Sequence, residues 1–366
     1  MIVAATVEQC WHPVPGGSGT YIVELLTALA ASGVEVVGIA AAHGKPPPFD
    51  LQLPVHVRHA PLARRALYDA WNHVGLPRAE HIVRGPFDVV HATTWAVPPT
   101  RHPLVVTVHD VAFLRDESHF TRRGVRFFAR ALARTRDEAA TVIVPSRATA
   151  TDCIAAGIDK SRIVVVPHGV RVDRPTARQV NRFRLARGLQ RPYVLWAGTQ
   201  EPRKNLSGLL AAFEILASEE PEVDLVLVGP AGWGDQAAAS PALRDRVHHL
   251  GRLAWADLQL AYGGARAFCF PSLWEGFGLP VLEAMAHGVP VVTSTDTSMA
   301  EVTDDAALLV DPTEPGALAV ALARAVGPDH DRLAAAGLAV ASRATWRSAV
   351  EATVDAYSRA IALHDH

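Results

Sequence analysis

The sequence is poor in cysteine and has no long apolar run. Its 366 residues include only three cysteines, Cys10, Cys153 and Cys269, and no two of them form a C-x-x-C pair. Such isolated thiols exclude a disulfide scaffold and a Cys/His zinc site, and they predict reduced cysteines. No segment reaches the roughly eighteen apolar residues of a membrane span, and Met1 opens a strand without a basic leader. We therefore expect a cytoplasmic protein, soluble or bound at the periphery of the membrane.

Several cofactor and catalytic motifs are also missing. No Gly-Lys-Ser/Thr occurs, which excludes a Walker A loop, and there is no G-x-S-x-G elbow of a serine hydrolase. The glycine-rich segment 15–20, part of a loop that we predict between the first strand and the first helix, is not a dinucleotide fingerprint. Position 22 is Ile, and no acidic residue follows the second strand at 40–43. The one D-x-D triplet, 329–331, has no strand before it. We interpret that triplet as helix capping and solvation, and we expect no metal site.

Arginine supplies almost all of the positive charge. Of the 35 cationic side chains only Lys45, Lys160 and Lys204 are lysines, and the net charge is −2. Such a balance gives no indication of nucleic-acid binding. Residues 1–172 carry 18 Lys and Arg against 14 Asp and Glu, whereas residues 173–366 carry 17 against 23. The first half is thus mildly basic, either because it meets an anionic partner or because surface charge is unevenly spread.

The order of strand and helix patterns predicts two α/β domains. Apolar strands are expected at 2–5, 34–41, 88–92, 104–109, 141–144 and 163–166. After a boundary near 168–173 a second series is expected at 193–198, 224–228, 249–253, 267–270, 289–293 and 307–310. Helical stretches separate most of these strands, so both sheets should be parallel. This predicts two doubly wound Rossmann-like domains, at 1–172 and 173–344, and a closing helix from residue 345.

The stretch 271–292, PSLWEGFGLPVLEAMAHGVPVV, combines a strand end, a glycine-rich loop and a helix start, for which Pro280 suits the first helical position. Glu275 lies in the loop and Glu283 near the first helical turn, with seven residues between them. The amides of Phe277, Gly278 and Leu279 are donors at the helix N-terminus that can hold phosphate or sugar oxygens. The two carboxylates can accept hydrogen bonds from sugar hydroxyls. An ordinary strand–loop–helix unit with solvated glutamates fits the same residues equally well.

A basic pair follows the first strand of the second domain. Arg203 and Lys204 precede a helix that Asn205 can cap. The helix dipole disfavours cations at this end by roughly 0.3–1 kcal/mol each. We therefore expect an anion such as a diphosphate to bind there and to make the electrostatic energy of the two cations favourable. A solvated basic loop is the alternative interpretation.

Two features of the first domain also allow two interpretations each. His109, at the end of the strand near residue 108, can contact a sugar hydroxyl or assist proton transfer, or it can form a structural hydrogen bond with Asp110. The arginine-rich stretches 120–136 and 63–84 are amphipathic. Each can lie on an anionic membrane surface, or it can face the core and expose its arginines to water.

In this order the motifs resemble the retaining GT-B glycosyltransferases of glycosyltransferase family four. The resemblance covers nearly the whole chain. It is carried by Gly16-Gly17, VTVHD ending at Asp110, VPHGV at 166–170, GTQEPRKN at 198–205, LGR at 250–252 and, most specifically, the E-x7-E signature of Glu275 and Glu283. It implies two Rossmann-like domains facing across a deep cleft, with a terminal helix, 345–366, that crosses back onto the first domain. It also implies that no cofactor or metal is needed.

The resemblance further implies a role for each site residue. Arg203 and Lys204 would bind the donor diphosphate and stabilise its developing charge, and Gly16 and Gly17 would approach it from the other domain. Glu283 would hold the ribose diol. Glu275 and the amides of Phe277, Gly278 and Leu279 would hold the transferred sugar, which His109 also reaches. Gly198, Arg252 and Leu253 would complete the nucleotide-sugar site.

The implied activity is transfer of a hexose, with retention, from a nucleotide-diphosphate sugar to a hydroxyl of a glycan, glycolipid or small molecule. GDP-mannose is slightly preferred as donor over UDP- and dTDP-sugars. A nucleotide-sugar hydrolase or epimerase and a non-catalytic two-lobed sugar-binding protein remain alternatives. Segment 296–301 lacks the glycine-rich sequence that the family often has there, which leaves the sugar selectivity open.

Overall fold

The structure is a computed structural model that describes residues 1–48, 51–232 and 238–364. It divides into two compact units. Unit 1 consists of Met1–Gly169 and Trp346–His366, and unit 2 of Val170–Thr345. The chain thus leaves the first unit after Gly169, completes the second and re-enters the first at Trp346. The last two residues of the predicted 345–366 segment lie outside the described residues.

Unit 1 contains a sheet of seven parallel strands. The strands are β1 (Ile2–Thr6), β2 (Glu35–Ala40), β3 (His56–His59), β4 (Val89–Ala92), β5 (Leu104–Thr107), β6 (Thr141–Val144) and β7 (Ile163–Val165). The helices are α1 (Gly16–Ala31), α2 (Arg64–His73), α3 (Ala79–Val83), α4 (Ala112–Arg115), α5 (Arg122–Glu138) and α6 (Arg147–Ala155). The strand order is β3-β2-β1-β4-β5-β6-β7, so the direction of winding reverses between β1 and β4.

Two local predictions for unit 1 were wrong. The edge strand β3 was not predicted, because HVRH has one apolar residue and is mostly exposed, so it lacks the apolar run of a buried parallel strand. The glycine-rich segment was predicted as a loop, yet α1 begins at Gly16, and a 3-10 turn, Glu8–Trp11, connects it to β1. Gly16 and Gly17 are therefore the first residues of a helix.

Unit 2 repeats this architecture with six parallel strands. The strands are β8 (Tyr193–Ala197), β9 (Asp224–Val228), β10 (Val247–Gly251), β11 (Ala267–Phe270), β12 (Val291–Ser294) and β13 (Leu308–Val310). The helices are α7 (Ala177–Ala186), α8 (Leu206–Glu219), α9 (Trp255–Gly263), α10 (Leu279–Ala286), α11 (Ser298–Thr303), α12 (Pro315–Val326) and α13 (His330–Arg343). The order β10-β9-β8-β11-β12-β13 places the reversal between β8 and β11.

Both faces of the second sheet are covered, which explains its continuous apolar strands. Along β8, Leu195 and Ala197 join one buried cluster, whereas Val194 and Trp196 join another on the opposite face. A parallel strand with helices on both faces has no solvent side and therefore shows no polar alternation. The predicted α/β fold with two Rossmann-like domains is confirmed.

The last helix of the chain, α14 (Trp346–His364), belongs to unit 1. Its Ala349, Val350 and Tyr357 join the same buried cluster as Ile22 of α1. The Tyr357 hydroxyl hydrogen-bonds to Nδ1 of the buried His91 on β4, at 2.7 Å. Helix α14 is thus part of the unit 1 core. None of the described helices combines the length and the hydropathy that crossing a membrane requires.

Candidate active site

The predicted site residues of unit 2 converge at the carboxyl ends of β8 and β11. These two strands are hydrogen-bonded neighbours, in register at Val194 with Ala267. The segment after β8 carries Arg203 and Lys204, and the segment after β11 carries Glu275. Neighbouring parallel strands whose helices pack on opposite faces leave a crevice between their outgoing loops, which is where doubly wound folds bind ligands.

Arg203, Lys204 and Glu275 form one buried charged cluster. Lys204 Nζ donates to Oε1 of Glu275, and the Arg203 guanidinium donates to the same oxygen at 2.9 Å. A second guanidinium nitrogen of Arg203 lies 2.8 Å from Oε1 of Glu201. Lys204, Glu275 and Glu201 are 8%, 7% and 9% exposed. Two cations therefore meet two carboxylates, and neither a solvated basic loop nor a solvated Glu275 describes the site.

The cluster keeps Glu275 ionised. Burial alone raises the pKa of Glu275, but the charges of Arg203 and Lys204 and the hydrogen bond from Lys204 outweigh it and hold the pKa at about 2. The pKa of Lys204 is lowered, chiefly by burial and then by the charge of Arg203, and the charges of Glu275 and Glu201 oppose this shift. Lys204 Nζ also lies 4.6 Å from the centroid of the Phe270 ring, which favours the charged ammonium.

Close backbone packing fixes the loop after β8. The Gly198 amide donates to the Val228 carbonyl at 2.9 Å. Gly229 follows with φ +138°, and a Cβ there would lie 1.8 Å from the Gly198 carbonyl oxygen, so only glycine fits. Asn205 then caps α8, as predicted, by accepting from the Gly208 amide at 3.2 Å.

Serine hydroxyls that the sequence reasoning missed hold the Glu275 loop. Ser298 donates to the Glu275 carbonyl at 2.8 Å, and Ser294 donates to the Ser272 carbonyl at 2.6 Å. All three serines are completely buried. Ser298 lies in segment 296–301, which lacks the glycine-rich sequence that the family often has there. That difference was the one signal in the sequence that this segment deserved comparison with the site.

The glycine-rich loop ends where α10 begins. Gly278 is the N-cap with φ +98°, and a Cβ there would lie 2.4 Å from the Met299 Cε. Phe277 and Leu279 flank it and are both 8% exposed. Helix α10 begins at Leu279, so Pro280 is its second residue rather than its first. The three predicted donor residues therefore lie at the N-terminus of α10, four residues or fewer from Glu275.

Glu283 lies in the second turn of α10 and is 8% exposed. The Tyr262 hydroxyl of α9 donates to its Oε2 at 2.8 Å. Burial, followed by the charge of Glu283, raises the pKa of Tyr262 well above its usual value, so the hydroxyl remains a donor. Glu283 is thus an oriented carboxylate and not a solvated one. Nothing in the sequence around Tyr262 marked it as the partner.

The remaining predicted residues of unit 2 lie along the same sheet edge but outside the charged cluster. Gly198 directly follows β8. Arg252 is exposed and Leu253 is half-buried, and both follow β10. Because β10 is two strands from β8 in the sheet, these two residues are about 10 Å from it.

His109, Gly16 and Gly17 belong to unit 1. His109 is half-buried, and its Nε2–H donates to the Thr93 carbonyl at 3.0 Å. Burial lowers its pKa, so the ring is neutral and Nδ1 is an acceptor. Asp110 accepts from the Ala112 amide at 3.0 Å, and no hydrogen bond joins it to His109 among the described residues.

The D-x-D triplet at the start of α13 forms ion pairs. Asp329 is the N-cap residue, but its side chain does not cap the helix as predicted. It pairs instead with Arg324 at 2.6 Å and Arg332 at 3.1 Å. Over residues 1–48, 51–232 and 238–364, no group of three or more His, Cys, Asp or Glu side chains converges as metal ligands.

Two family models match the chain. The model described as glycosyl transferases group 1 matches residues 177–334, and that described as glycosyltransferase family 4 matches residues 15–174. The O-antigen chain mannosyltransferase B of Escherichia coli is 32% identical over 283 residues, covering 74% of each chain. A D-inositol 3-phosphate glycosyltransferase of Xylanimonas cellulosilytica is 31% identical over 386 residues, covering 94% of this chain and 92% of the relative.

Solved structures share the fold across nearly the whole chain. HepE of Anabaena in complex with UDP and glucose superposes with a TM-score of 0.76 at 21% identity and covers 98% of this chain and 99% of its own. Sucrose-phosphate synthase from Thermosynechococcus elongatus gives 0.77 at 21% identity, with 99% of each chain covered. At this identity the likeness shows the GT-B fold.

Proposed function

The chain belongs to glycosyltransferase family 4, and from this premise we propose that it is a retaining hexosyltransferase that uses a nucleotide-diphosphate sugar. Membership makes the protein a glycosyltransferase enzyme. The observation that carries the finer proposal is the buried cluster of Arg203, Lys204 and Glu275 at the β8–β11 crevice. It combines cations for a diphosphate with a carboxylate for sugar hydroxyls.

The diphosphate would replace Glu275 as the partner of the two cations. Arg203 and Lys204 share one carboxylate oxygen, so a donor that brings phosphate oxygens to that point satisfies both. Glu275 would then turn to the hydroxyls of the transferred sugar, with the N-terminus of α10 beside it. During transfer the same cations would stabilise the charge that develops on the leaving diphosphate.

Glu283 would hold the ribose of the donor. Tyr262 fixes Oε2 through a 2.8 Å hydrogen bond and thereby sets the orientation of the carboxylate. A carboxylate in a fixed orientation can accept two hydrogen bonds from a diol. His109, whose Nε2–H is held by the Thr93 carbonyl, would offer Nδ1 to a hydroxyl of the transferred sugar.

GDP-mannose is our preferred donor, and a hydroxyl of a glycan or glycolipid our preferred acceptor. The relatives named as an O-antigen chain mannosyltransferase and as an MMP α-(1→4)-mannosyltransferase support mannose. The Anabaena structure contains UDP and glucose, which keeps UDP-sugars as the second option. Thermal-shift titrations with GDP, UDP and dTDP distinguish the bases, because only a nucleotide that binds the folded state raises the Tm.

Substitution of Lys204 by Ala tests the site. We expect the rate of transfer from GDP-mannose to a mannoside acceptor to fall by about 10²–10³-fold, the usual effect of losing one charge-stabilising donor. Lys160→Ala, which removes an exposed lysine of unit 1, is the matched control and should keep wild-type turnover. Wild-type turnover in folded Lys204→Ala would eliminate the proposed role. Rapid loss of donor without acceptor would indicate a hydrolase instead.

Helix α5 supports binding to an anionic membrane surface. Its buried residues Ala131, Leu132 and Thr135 face the unit 1 core, so the core-facing interpretation holds. The opposite side nevertheless exposes Arg122, Arg123, Arg126, Arg130 and Arg136. Each arginine near an anionic surface contributes about 1 kcal/mol, an attraction that salt screens.

Vesicle sedimentation tests the membrane proposal. The wild-type protein should bind vesicles containing phosphatidylserine at low salt and dissociate at high salt. Arg126→Ala/Arg130→Ala should bind about tenfold or more weakly. Arg178→Ala/Arg182→Ala removes two exposed arginines with the same spacing from α7 and should bind like the wild type. Equal binding by both double variants would exclude α5 as the contact.

A further inference from the structure

Four polar side chains form a hydrogen-bonded chain through the core of unit 1. The Tyr357 hydroxyl on α14 is 2.7 Å from Nδ1 of His91 on β4, and Nε2 of His91 is 2.8 Å from the Thr107 hydroxyl on β5. The Thr107 hydroxyl is in turn 3.0 Å from the hydroxyl of Tyr21 on α1. We call these four residues the core chain. It connects the last helix of unit 1 to the first through two neighbouring strands.

The core chain is buried along its whole length. None of its four residues is more than 3% exposed. Burial lowers the pKa of His91 to about 3, so that ring is neutral, and burial raises the pKa of Tyr21 and of Tyr357, so both hydroxyls stay protonated. Polar groups out of water cost free energy unless they are hydrogen-bonded, whereas apolar side chains would fill the same places without that cost. A fully buried polar network chiefly specifies one arrangement of the core.

The ring of Tyr21 packs against His109, the unit 1 histidine of the proposed donor site. The two ring centroids are 4.7 Å apart and the planes meet at 83°. Such edge-on contacts contribute about 0.5–1.5 kcal/mol. His109 also donates Nε2–H to the Thr93 carbonyl at 3.0 Å. The hydrogen bond fixes one atom of the imidazole and the Tyr21 ring limits its rotation, so the two contacts together set the direction of Nδ1.

The direction of Nδ1 matters because a group that binds substrate must be held to within roughly 0.5 Å and 10–20° of its productive geometry. We propose that Tyr21 is a positioning residue for His109, and that α14 holds Tyr21 in place through the core chain. The value of this positioning for catalysis rests on the proposed function, in which His109 accepts from a hydroxyl of the transferred sugar. The terminal helix then contributes to the geometry of the site as well as to the core.

Substitutions that remove single hydroxyls separate positioning from a purely structural role. Tyr21→Phe and Tyr357→Phe each keep the aromatic ring, and Thr107→Val breaks the chain in its middle if loss of the Tyr357 hydroxyl should loosen α14. Tyr193→Phe is the matched control. It removes a buried hydroxyl that donates to the Ala261 carbonyl at 2.7 Å in unit 2, and it should lower the Tm by a similar amount.

NMR of the full chain with labelled histidines measures the position of the His109 ring without any substrate. The signals of His109 are identified by their loss in His109→Ala, and they depend on the aromatic ring beside them. Tyr357→Phe acts three hydrogen bonds away from Tyr21 and should still shift the ring signals of His109, as should Thr107→Val. Tyr193→Phe should leave them in place. Unchanged His109 signals in both core-chain variants would overturn the proposal.

Steady-state transfer from GDP-mannose measures the consequence for catalysis. Tyr21→Phe and Tyr357→Phe should each lower kcat about three- to tenfold, the effect of about one lost hydrogen bond. The KM for the donor should change by less than about twofold, because other residues bind the diphosphate and the ribose. Tyr193→Phe should keep the kcat of the wild type.

A double-mutant cycle shows whether Tyr21 acts through His109. In a His109→Ala background, Tyr21→Phe should lower kcat no further, since the group that it positions is gone. A reduction as large as in the wild-type background would overturn the positioning role and assign the effect to another part of unit 1.

The two readouts also separate this proposal from the proposed function. If the core-chain variants shift the His109 signals but neither GDP nor UDP raises the Tm, the donor function fails and the positioning of His109 stands. If sugar is transferred and the variants change neither the His109 signals nor kcat, the positioning fails and the donor function stands.

Discussion

Glu275→Gln tests the charged cluster through its effect on stability. The substitution keeps the size of the side chain and removes the charge that Lys204 and Arg203 share. Lys204, 8% exposed, would then be a buried ammonium whose nearest carboxylate is gone. Removing one partner of a buried ion pair typically costs about 3–5 kcal/mol. Arg203 is partly exposed, so the lower end of that range applies.

The pKa of Glu275 leads to the same magnitude. Its ordinary value of 4.5 falls to about 2 in the folded protein, and at 1.36 kcal/mol per pKa unit this corresponds to about 3 kcal/mol. Because the folded pKa is the lower one, this stabilisation is fully present above about pH 4.5 and is lost as the pH falls towards 2. The variant cannot titrate at this position. Its deficit relative to the wild type should therefore be full at pH 7 and smaller at pH 3.

Denaturant and thermal unfolding at both pH values measure these differences. At pH 7 we expect Glu275→Gln to lose about 3 kcal/mol, or roughly 6–12 °C in Tm for a unit of this size. Glu222→Gln removes an exposed carboxylate paired with Arg191 at 3.5 Å and should change stability by less than about 0.5 kcal/mol.

Nucleoside diphosphate should partly restore the stability of Glu275→Gln. The ligand supplies the anion that Arg203 and Lys204 have lost, and it displaces no buried carboxylate. GDP or UDP should therefore raise the Tm of Glu275→Gln by more than it raises the Tm of the wild type. A variant as stable as the wild type at pH 7 would refute the buried pairing. A smaller nucleotide shift in the variant would refute the replacement of Glu275 by phosphate.

Two further substitutions test the surroundings of the cluster. Tyr262→Phe removes only the hydroxyl that donates to Glu283. In steady-state kinetics the KM for the donor should rise about tenfold with kcat nearly unchanged. An unchanged KM would contradict the proposed binding of the donor by Glu283. Gly229→Ala forces a Cβ to within 1.8 Å of the Gly198 carbonyl oxygen and should lower the free energy of unfolding in urea by at least about 3 kcal/mol. Gly44→Ala is the control and should cost little, because a Cβ at Gly44 meets no atom within 4 Å. Equal stability of the two variants would contradict the close packing at Gly229.

The ends of strands and the starts of helices could be predicted where Gly, Pro or Ser marks them, because these sequence signals are local. Within 271–292, an apolar run bounded by Pro and Ser gave β11, and Gly278 with Pro280 gave the start of α10 to within one residue. The same logic failed at Gly16, since glycines can open a helix as well as a loop. It also failed at β3, where an exposed edge strand has no apolar run.

The contacts that make the site could not be predicted from local patterns. Lys204 and Glu275 are 71 residues apart and meet only because β8 and β11 are neighbours in the sheet. The sequence placed cations and carboxylates at strand ends without showing which of them pair. Ser298 and Tyr262 were missed for the same reason, because a hydroxyl in a helix has no pattern until the fold supplies its acceptor.

The pairing also bears on which ligands the cluster favours. On the proposed assignment, a nucleoside diphosphate alone satisfies Arg203 and Lys204 but leaves Glu275 buried, charged and without its cations, which is costly. A nucleotide sugar adds hydroxyls that donate to the displaced carboxylate. The intact donor therefore provides partners both for the two cations and for the carboxylate that its diphosphate displaces. A site of this kind should favour the intact donor over the product diphosphate, since only the donor replaces the hydrogen bonds that Glu275 gives up.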